Sequence, residues 1–255
     1  MIRSDLGRKG GDRVARIWFD RADKKNAITA EMYLQLAEAL AAADADPEAG
    51  AVLLHGSADC FTSGNDVADF LQRPPSGAGS PTWRLFEVMP FIQKPIVAAV
   101  GGPAVGIGCT MLLHCDLVYA ADNARFQFPF VPLGIVPEFG STFLLPLIAG
   151  YQRAAELLLL GQPFDAQKAR EAGMVTAVVP QADLLRKAEE AAAALAALPA
   201  ESIRLTKKLM KSRYAKTVAE TIAEEGRLFL ERLSSPEAKQ ALNAFLDKTA
   251  RKPGR

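Results

Sequence analysis

Residues 96–116 read IVAAVGGPAVGIGCTMLLHCD. The β-branched run Ile96–Val100 predicts a buried strand. Gly101, Gly102 and Pro103 break it, and Gly106 and Gly108 open an apolar run that predicts a helix over Cys109–Cys115. A strand, a glycine turn and a buried helix start leave backbone N–H groups facing inward, aimed at whatever lies in front of the turn. Such donors suit an anion or a developing oxyanion. Three other readings compete. Ile96–Leu113 carries no charge and has the length of a membrane span, but four glycines and a proline argue against one smooth helix, and Lys94 and Asp116 bound it closely. The glycine spacing matches neither GxGxxG nor GxxxxGK[ST] of nucleotide-binding loops. A purely structural glycine turn stays open on this stretch alone.

Upstream, Arg13–Phe19 alternates and predicts a strand, after an arm over residues 1–12. Asp20–Ala27 is a charged turn. Thr29 is placed to cap a helix running to about Asp44, with Met32, Leu36 and Leu40 on one face. Ala51–Leu54 predicts a short buried strand, followed by the polar loop His55–Asp69. The Pro/Gly/Ser segment Arg73–Ser80 predicts a mobile flap, and Pro81–Pro90 a short helix. Downstream, Leu117–Tyr119 and Met174–Val179 predict strands. Val131–Gly140 is a loop; Ser141–Ala149, Arg153–Leu160 and Ala166–Ala172 predict helices, the last capped by Asp165. After Pro180 the pattern is helical throughout. The expected division is an α/β core over 1–197 and a C-terminal helical region over 198–255. Its apolar residues, among them Leu228 and Phe229, must pack on the core or on another subunit.

A chain of 255 residues, 49% hydrophobic, is long enough for a full core. Its net charge of +1 offers no field for nucleic acid. The polar N-terminal stretch lacks the apolar segment of a signal peptide. Three cysteines (Cys60, Cys109, Cys115) without zinc-like spacing fit a reducing compartment. The expectation is a cytoplasmic protein with no membrane or nucleic-acid partner. No metal site is expected, since no HExxH or His/carboxylate cluster occurs. His55 and His114 read as structural, and no Ser-His-Asp set or GxSxG elbow is present. Glu138, in IVPEFGS, is the more informative group. Burial would raise its pKa while the following helix start would lower it, and that opposition suits a general base. The alternative is an acid that merely favours the helix dipole. Asp66 in SGNDV has a similar alternative, bonding its own backbone.

Together these segments resemble the crotonase superfamily, the enoyl-CoA hydratase/isomerase fold. FDRADKKNAIT (19–29), CFTSGNDVADF (60–70), GGPAVGIGCTMLLHCDLVYA (101–120), ARFQFPFVPLGIVPEFGSTFLLP (124–146) and QPFDAQKAREAGMVTAVVP (162–180) follow that family's order over roughly residues 12–250. The resemblance implies an α/β spiral of repeated ββα units with a C-terminal helical trimerisation region. It implies an acyl-CoA thioester substrate, with coenzyme A part of the substrate and no separate cofactor. The backbone N–H groups of Asn65 and Ile107 would form the oxyanion hole, shaped by Gly64, Gly106 and Gly108. Ala27, Ser63 and Asp66 would line the CoA path, with Phe245 and Lys248 near its nucleotide end. The two glutamates of hydratases would fall at Thr110 and Phe130, and neither is an acid here. Glu138 in PEFG instead resembles the proton-shuttling base of the peroxisomal-type Δ3,Δ2-enoyl-CoA isomerases. Another acyl-CoA reaction, such as hydration or thioester hydrolysis, and a non-catalytic acyl-CoA-binding relative are the alternatives. A homotrimer or a dimer of trimers is the implied assembly.

Overall fold

The structure is a computed structural model that describes residues 1–6, 11–74, 76, 77 and 79–250, with side chains through 244. In chain order the elements are β1 (Ile2–Asp5), β2 (Val14–Phe19), α1 (Ala30–Ala45), β3 (Ala51–His55), α2 (Val67–Gln72), α3 (Pro81–Val88), β4 (Ile96–Val100), β5 (Pro103–Val105), α4 (Ile107–Thr110), β6 (Leu117–Ala121), β7 (Arg125–Gln127), α5 (Ser141–Ala149), α6 (Tyr151–Leu160), β8 (Phe164–Asp165), α7 (Ala166–Glu171), β9 (Ala177–Val179), α8 (Leu184–Ala196), α9 (Ala200–Ser212), α10 (Ala215–Leu233) and α11 (Pro236–Ala250).

Apolar side chains on successive strand positions bury on both faces of one large sheet, as a mostly parallel sheet covered by helices requires. Among the described residues its order is β1-β2-β3-β4-β6-β9; β1 is antiparallel to β2 and every later pair is parallel. Val52 and Leu54 pack on the side of Leu36 and Leu40 of α1 and Leu85 of α3. Ala51 and Leu53 pack on the other, under Leu184, Ala188, Ala192 and Ala196 of α8. That stripe at every fourth residue is mostly alanine, which lets α8 lie close to the strands.

A smaller sheet, β5-β7-β8, stands beside the large one, and Thr62 extends it through a parallel bridge to Ala104. Each pass lays one strand in the large sheet, a short piece in the small one, and then a helical turn: β3, the residues around Thr62, α2; then β4, β5, α4. The chain is therefore an α/β spiral of ββα units, ending in helices. Among these, α10 packs on α5, and α11 packs on the turn Val131–Leu133.

Several sequence expectations shift. The start of the 1–12 arm is β1, whose register comes from pairing Ile2–Asp5 with Phe19–Arg16, because its own IRSD pattern leaves two of four residues exposed. The helix expected over Cys109–Cys115 starts earlier, at Ile107, and after one turn tightens into a 3-10 turn over Met111–His114. The loop His55–Asp69 ends in α2, which Asp66 caps by accepting from the Asp69 N–H. The strand over Met174–Val179 contracts to β9 after the left-handed Gly173 (φ 77°). Of the segment Arg73–Ser80, Pro75 and Ala78 lie outside the described residues; Ser80 caps α3 by accepting from the Trp83 N–H. Among the described residues no helix is long and apolar enough to cross a membrane.

Candidate active site

Two loops and one carboxyl meet at the ends of β3 and β4. The first loop is tied down by Ile28, whose N–H donates to Gly64 O (2.8 Å) and whose carbonyl accepts from the Asp66 N–H (2.9 Å). The Asn65 N–H between them has no acceptor among the described residues. Gly64 sits at φ 90°, and a Cβ there would come within 2.8 Å of Val105 O, so the first loop can lie against β5 only with glycine. The second loop turns at Gly106 (φ 56°, ψ −118°), outside the range of residues with a Cβ. Ile107, the next residue, lines a cavity of about 270 Å³ whose lining includes Ser63, Gly64, Asn65, Gly106 and Phe130. The donors are thus individual amides at a one-turn helix, not the end of the longer helix expected. Gly108 packs flat on Thr62, where a Cβ would meet Cγ2 at 2.6 Å.

Glu138 lines a smaller adjoining cavity of about 40 Å³ with Tyr33, Asn65, Trp83, Phe86 and Phe229. Asn65, Phe70 and Phe229 line both cavities, which joins the amide donors to the carboxyl. Glu138 is buried, and the Thr110 hydroxyl donates to its Oε1 at 2.5 Å. Burial raises the carboxyl to about 8, against the Thr110 bond and with a small push from Glu225. The Tyr33 hydroxyl donates to Asn65 Oδ1 at 2.6 Å. Burial, and then the nearby Glu138, keep that phenol well above its ordinary pKa, so it stays protonated.

The turn presenting Glu138 is strained. Phe139 (φ 62°) and Gly140 (φ 73°) are both left-handed. For phenylalanine this costs about 1–3 kcal/mol. Phe139 is held by stacking on Phe86 (4.3 Å between centroids) and by His114 Nε2, which lies 2.8 Å from its carbonyl. Only an N–H can bond a carbonyl, so Nε2 carries the proton; burial lowers the imidazole pKa to about 3 and keeps it neutral. His55 stacks on Trp18 away from these groups, at 5.8 Å.

Other expected residues scatter more widely. Asp66 caps α2 and pairs with Arg21 at 2.7 Å; burial works against its charge, but these bonds prevail and its pKa is lowered. Arg21 also donates to Ala27 O, so Ala27 and Asp66 meet through it. Thr110 lies on Glu138 rather than on a cavity wall, and Phe130 presents a ring to the larger cavity. The side chains of Phe245 and Lys248 lie outside the described residues. A larger cavity, about 470 Å³, opens beside α9; its lining holds Arg204, Lys207, Lys208, Lys211 and His114, and none of the residues expected at the site. Among the described residues no three His, Cys, Asp or Glu side chains gather to hold a metal ion.

Sequence reasoning missed Glu225. It is buried on α10 and accepts from Gly140 N–H (2.6 Å), Thr142 N–H (2.8 Å) and the Thr142 hydroxyl (2.6 Å). A signal existed. Val218, Ile222, Glu225 and Phe229 follow one helical stripe, and an acid occupying an apolar slot marks a buried carboxyl.

A spiral of ββα units, with two glycine-shaped loops presenting free amides beside a buried carboxyl, defines an acyl-group enzyme scaffold. The family model described as enoyl-CoA hydratase/isomerase matches residues 9–253, and the chain belongs to that family. It is 36% identical over 247 residues to human enoyl-CoA delta isomerase 2, covering 94% of this chain and 62% of that protein. It is 31% identical over 242 residues to the probable enoyl-CoA hydratase echA8 of Mycobacterium leprae, covering 94% of each. The structure of Pseudomonas aeruginosa OdaA superposes with a TM-score of 0.92 at 46% identity, covering 96% of this chain and 98% of that one.

Proposed function

We propose that this protein is a Δ3,Δ2-enoyl-CoA isomerase acting on an acyl-CoA thioester, with coenzyme A as part of the substrate and no separate cofactor. The observation carrying this is that Glu138 alone among described carboxyls lines the cavity system. Hydratases of the family use two glutamates; their counterparts here are Thr110, bonded to Glu138, and Phe130, a wall. One carboxyl suffices for isomerisation. Glu138 takes the proton from C2, and the electron pair moves onto the thioester oxygen as the dienolate forms. The same carboxylic acid returns the proton to C4, leaving the double bond between C2 and C3. The Asn65 and Ile107 amides hold the oxygen throughout; each such donor is worth about 3 kcal/mol of barrier. A base at about 8 is near balance for both halves of the shuttle at neutral pH.

The assembly we propose is a homotrimer or a dimer of trimers in the cytoplasm. Exposed apolar side chains on α6 and α9 support self-association, Tyr151 (76% exposed), Leu159 (61%) and Leu209 (73%) among them. Three free cysteines support the cytoplasmic placement.

The test is conversion of 3-enoyl-CoA to 2-enoyl-CoA by wild type and by Glu138→Ala, with CoA-thioester binding checked for both. Turnover that falls by about 10²-fold or more in a variant that still binds is the expected result. Wild-type turnover of 2-enoyl-CoA or saturated acyl-CoA in its place would assign hydration or hydrolysis. Binding without any turnover would make the chain a non-catalytic relative.

A further inference from the structure

A carboxylate just ahead of a helix ordinarily gains from the N-terminal amides of that helix. Glu138 precedes α5, yet the amides there are spoken for. Glu225 reaches in from α10 and takes the Gly140 and Thr142 N–H groups, one on each oxygen, together with the Thr142 hydroxyl. Gly140 and the left-handed Phe139 are the two residues directly after Glu138. The geometry points to Glu225 as a positioning residue: from the C-terminal region it clamps the Phe139–Gly140 turn that presents Glu138, and it keeps the donors at the start of α5 away from the Glu138 carboxyl.

Two consequences share a sign. With those donors occupied, the anionic form of Glu138 loses a source of stabilisation. The Glu225 charge also opposes it directly. Both favour the protonated form. The other groups facing Glu138 are the Tyr33 phenol from α1 and the Thr110 hydroxyl from α4, while His114 sits behind the turn on the Phe139 carbonyl. Neither the phenol nor the buried neutral imidazole changes charge near neutrality. Glu225 is itself raised to about 7 by burial, against its three hydrogen bonds.

This rests on Glu138 as the reactive carboxyl, but the test needs no turnover. In protein carrying ¹³C-labelled glutamate, the Glu138 carboxyl resonance is assigned by its loss in Glu138→Gln and titrated in wild type and in Glu225→Gln. Glutamine keeps the shape and one acceptor but not the charge. The expected result is a Glu138 midpoint lower by about one pH unit, in a variant with a cooperative melt. An unchanged or higher midpoint alongside a lowered melting temperature would overturn the proposal and leave Glu225 a structural cap. If Glu225→Gln fails to fold, Thr142→Val takes its place. Losing the hydroxyl donor should raise the Glu225 midpoint and lower that of Glu138; no movement in either overturns the proposal. An isomerase assay that fails in wild type, with these shifts intact, would sink the reaction and leave the clamp standing.

Discussion

At the scale of single residues the site works by moving proton affinity. Among the described residues, the Thr110 hydroxyl supplies the one side-chain hydrogen bond on the Glu138 carboxyl, and it favours the charged form. Removing it should push Glu138 above its present value near 8. Thr110→Val is therefore expected to move the rising limb of kcat/KM toward higher pH, by up to about one unit, and to lower activity at pH 7; a pH–rate profile over pH 6–10 reads this directly. Gly106 fails differently. Nothing lies within 4 Å of the position its Cβ would take, so Gly106→Ala meets no clash with the protein. What it meets is a forbidden dihedral pair, and the methyl enters the space before Ile107. We expect a stability loss of about 1–3 kcal/mol in urea denaturation and a larger loss of kcat than of binding, since the Ile107 N–H is re-aimed. A kcat unchanged within twofold would rule out the Ile107 amide as a working donor.

At the scale of elements, patterns that carry their own periodicity were legible. The α1 cap at Thr29, the strand Ile96–Val100 and the helix Ser141–Ala149 all lie where the sequence puts them. Elements held by partners were not. The three-residue strands β5 and β7 have no pattern of their own and exist because each supplies the other with ladder bonds. The first strand likewise borrows its register from β2. The site shows the same division. Gly64, Gly106 and Glu138 announce themselves by type and local context. Glu225 and Tyr33 reach the site only through long-range packing: Glu225 bonds Gly140 across 85 residues, and Tyr33 bonds Asn65 across 32. The helix-start effect on Glu138 was expected to lower its pKa; Glu225 occupies those donors instead, and burial prevails.

At the scale of the whole molecule, buried ionisable groups tie the terminal helices to the core. Lys207 of α9 is 5% exposed and bonds Asp116 at 2.6 Å and Lys94 O at 2.7 Å. Asp116→Ala would strand that cation, and a loss of about 3–5 kcal/mol by chemical denaturation is expected; Lys207→Met, which removes the charge instead, should cost less. The raised carboxyls give the opposite dependence on pH from the usual acidic side chain. Between pH 4.5 and about 8 folded Glu138 keeps a proton that the unfolded chain has lost, so its contribution to stability falls as pH rises through that window. Glu138→Gln should flatten the stability curve and gain on the order of 4 kcal/mol at pH 8 with little change at pH 4.5, measured by urea titration at both. Leu209→Glu, on the exposed apolar side of α9, should lower the mass found by sedimentation if that face joins subunits. The grip of α10 on the turn after Glu138 has a consequence in time. On the ribosome Gly140 emerges 85 residues before Glu225. At synthesis rates of about 5–20 residues per second, the Phe139–Gly140 turn waits roughly 4–17 s for Glu225. The turn that presents Glu138 thus gains its hydrogen bonds to Glu225 only after every strand of the large sheet, through β9, has been made.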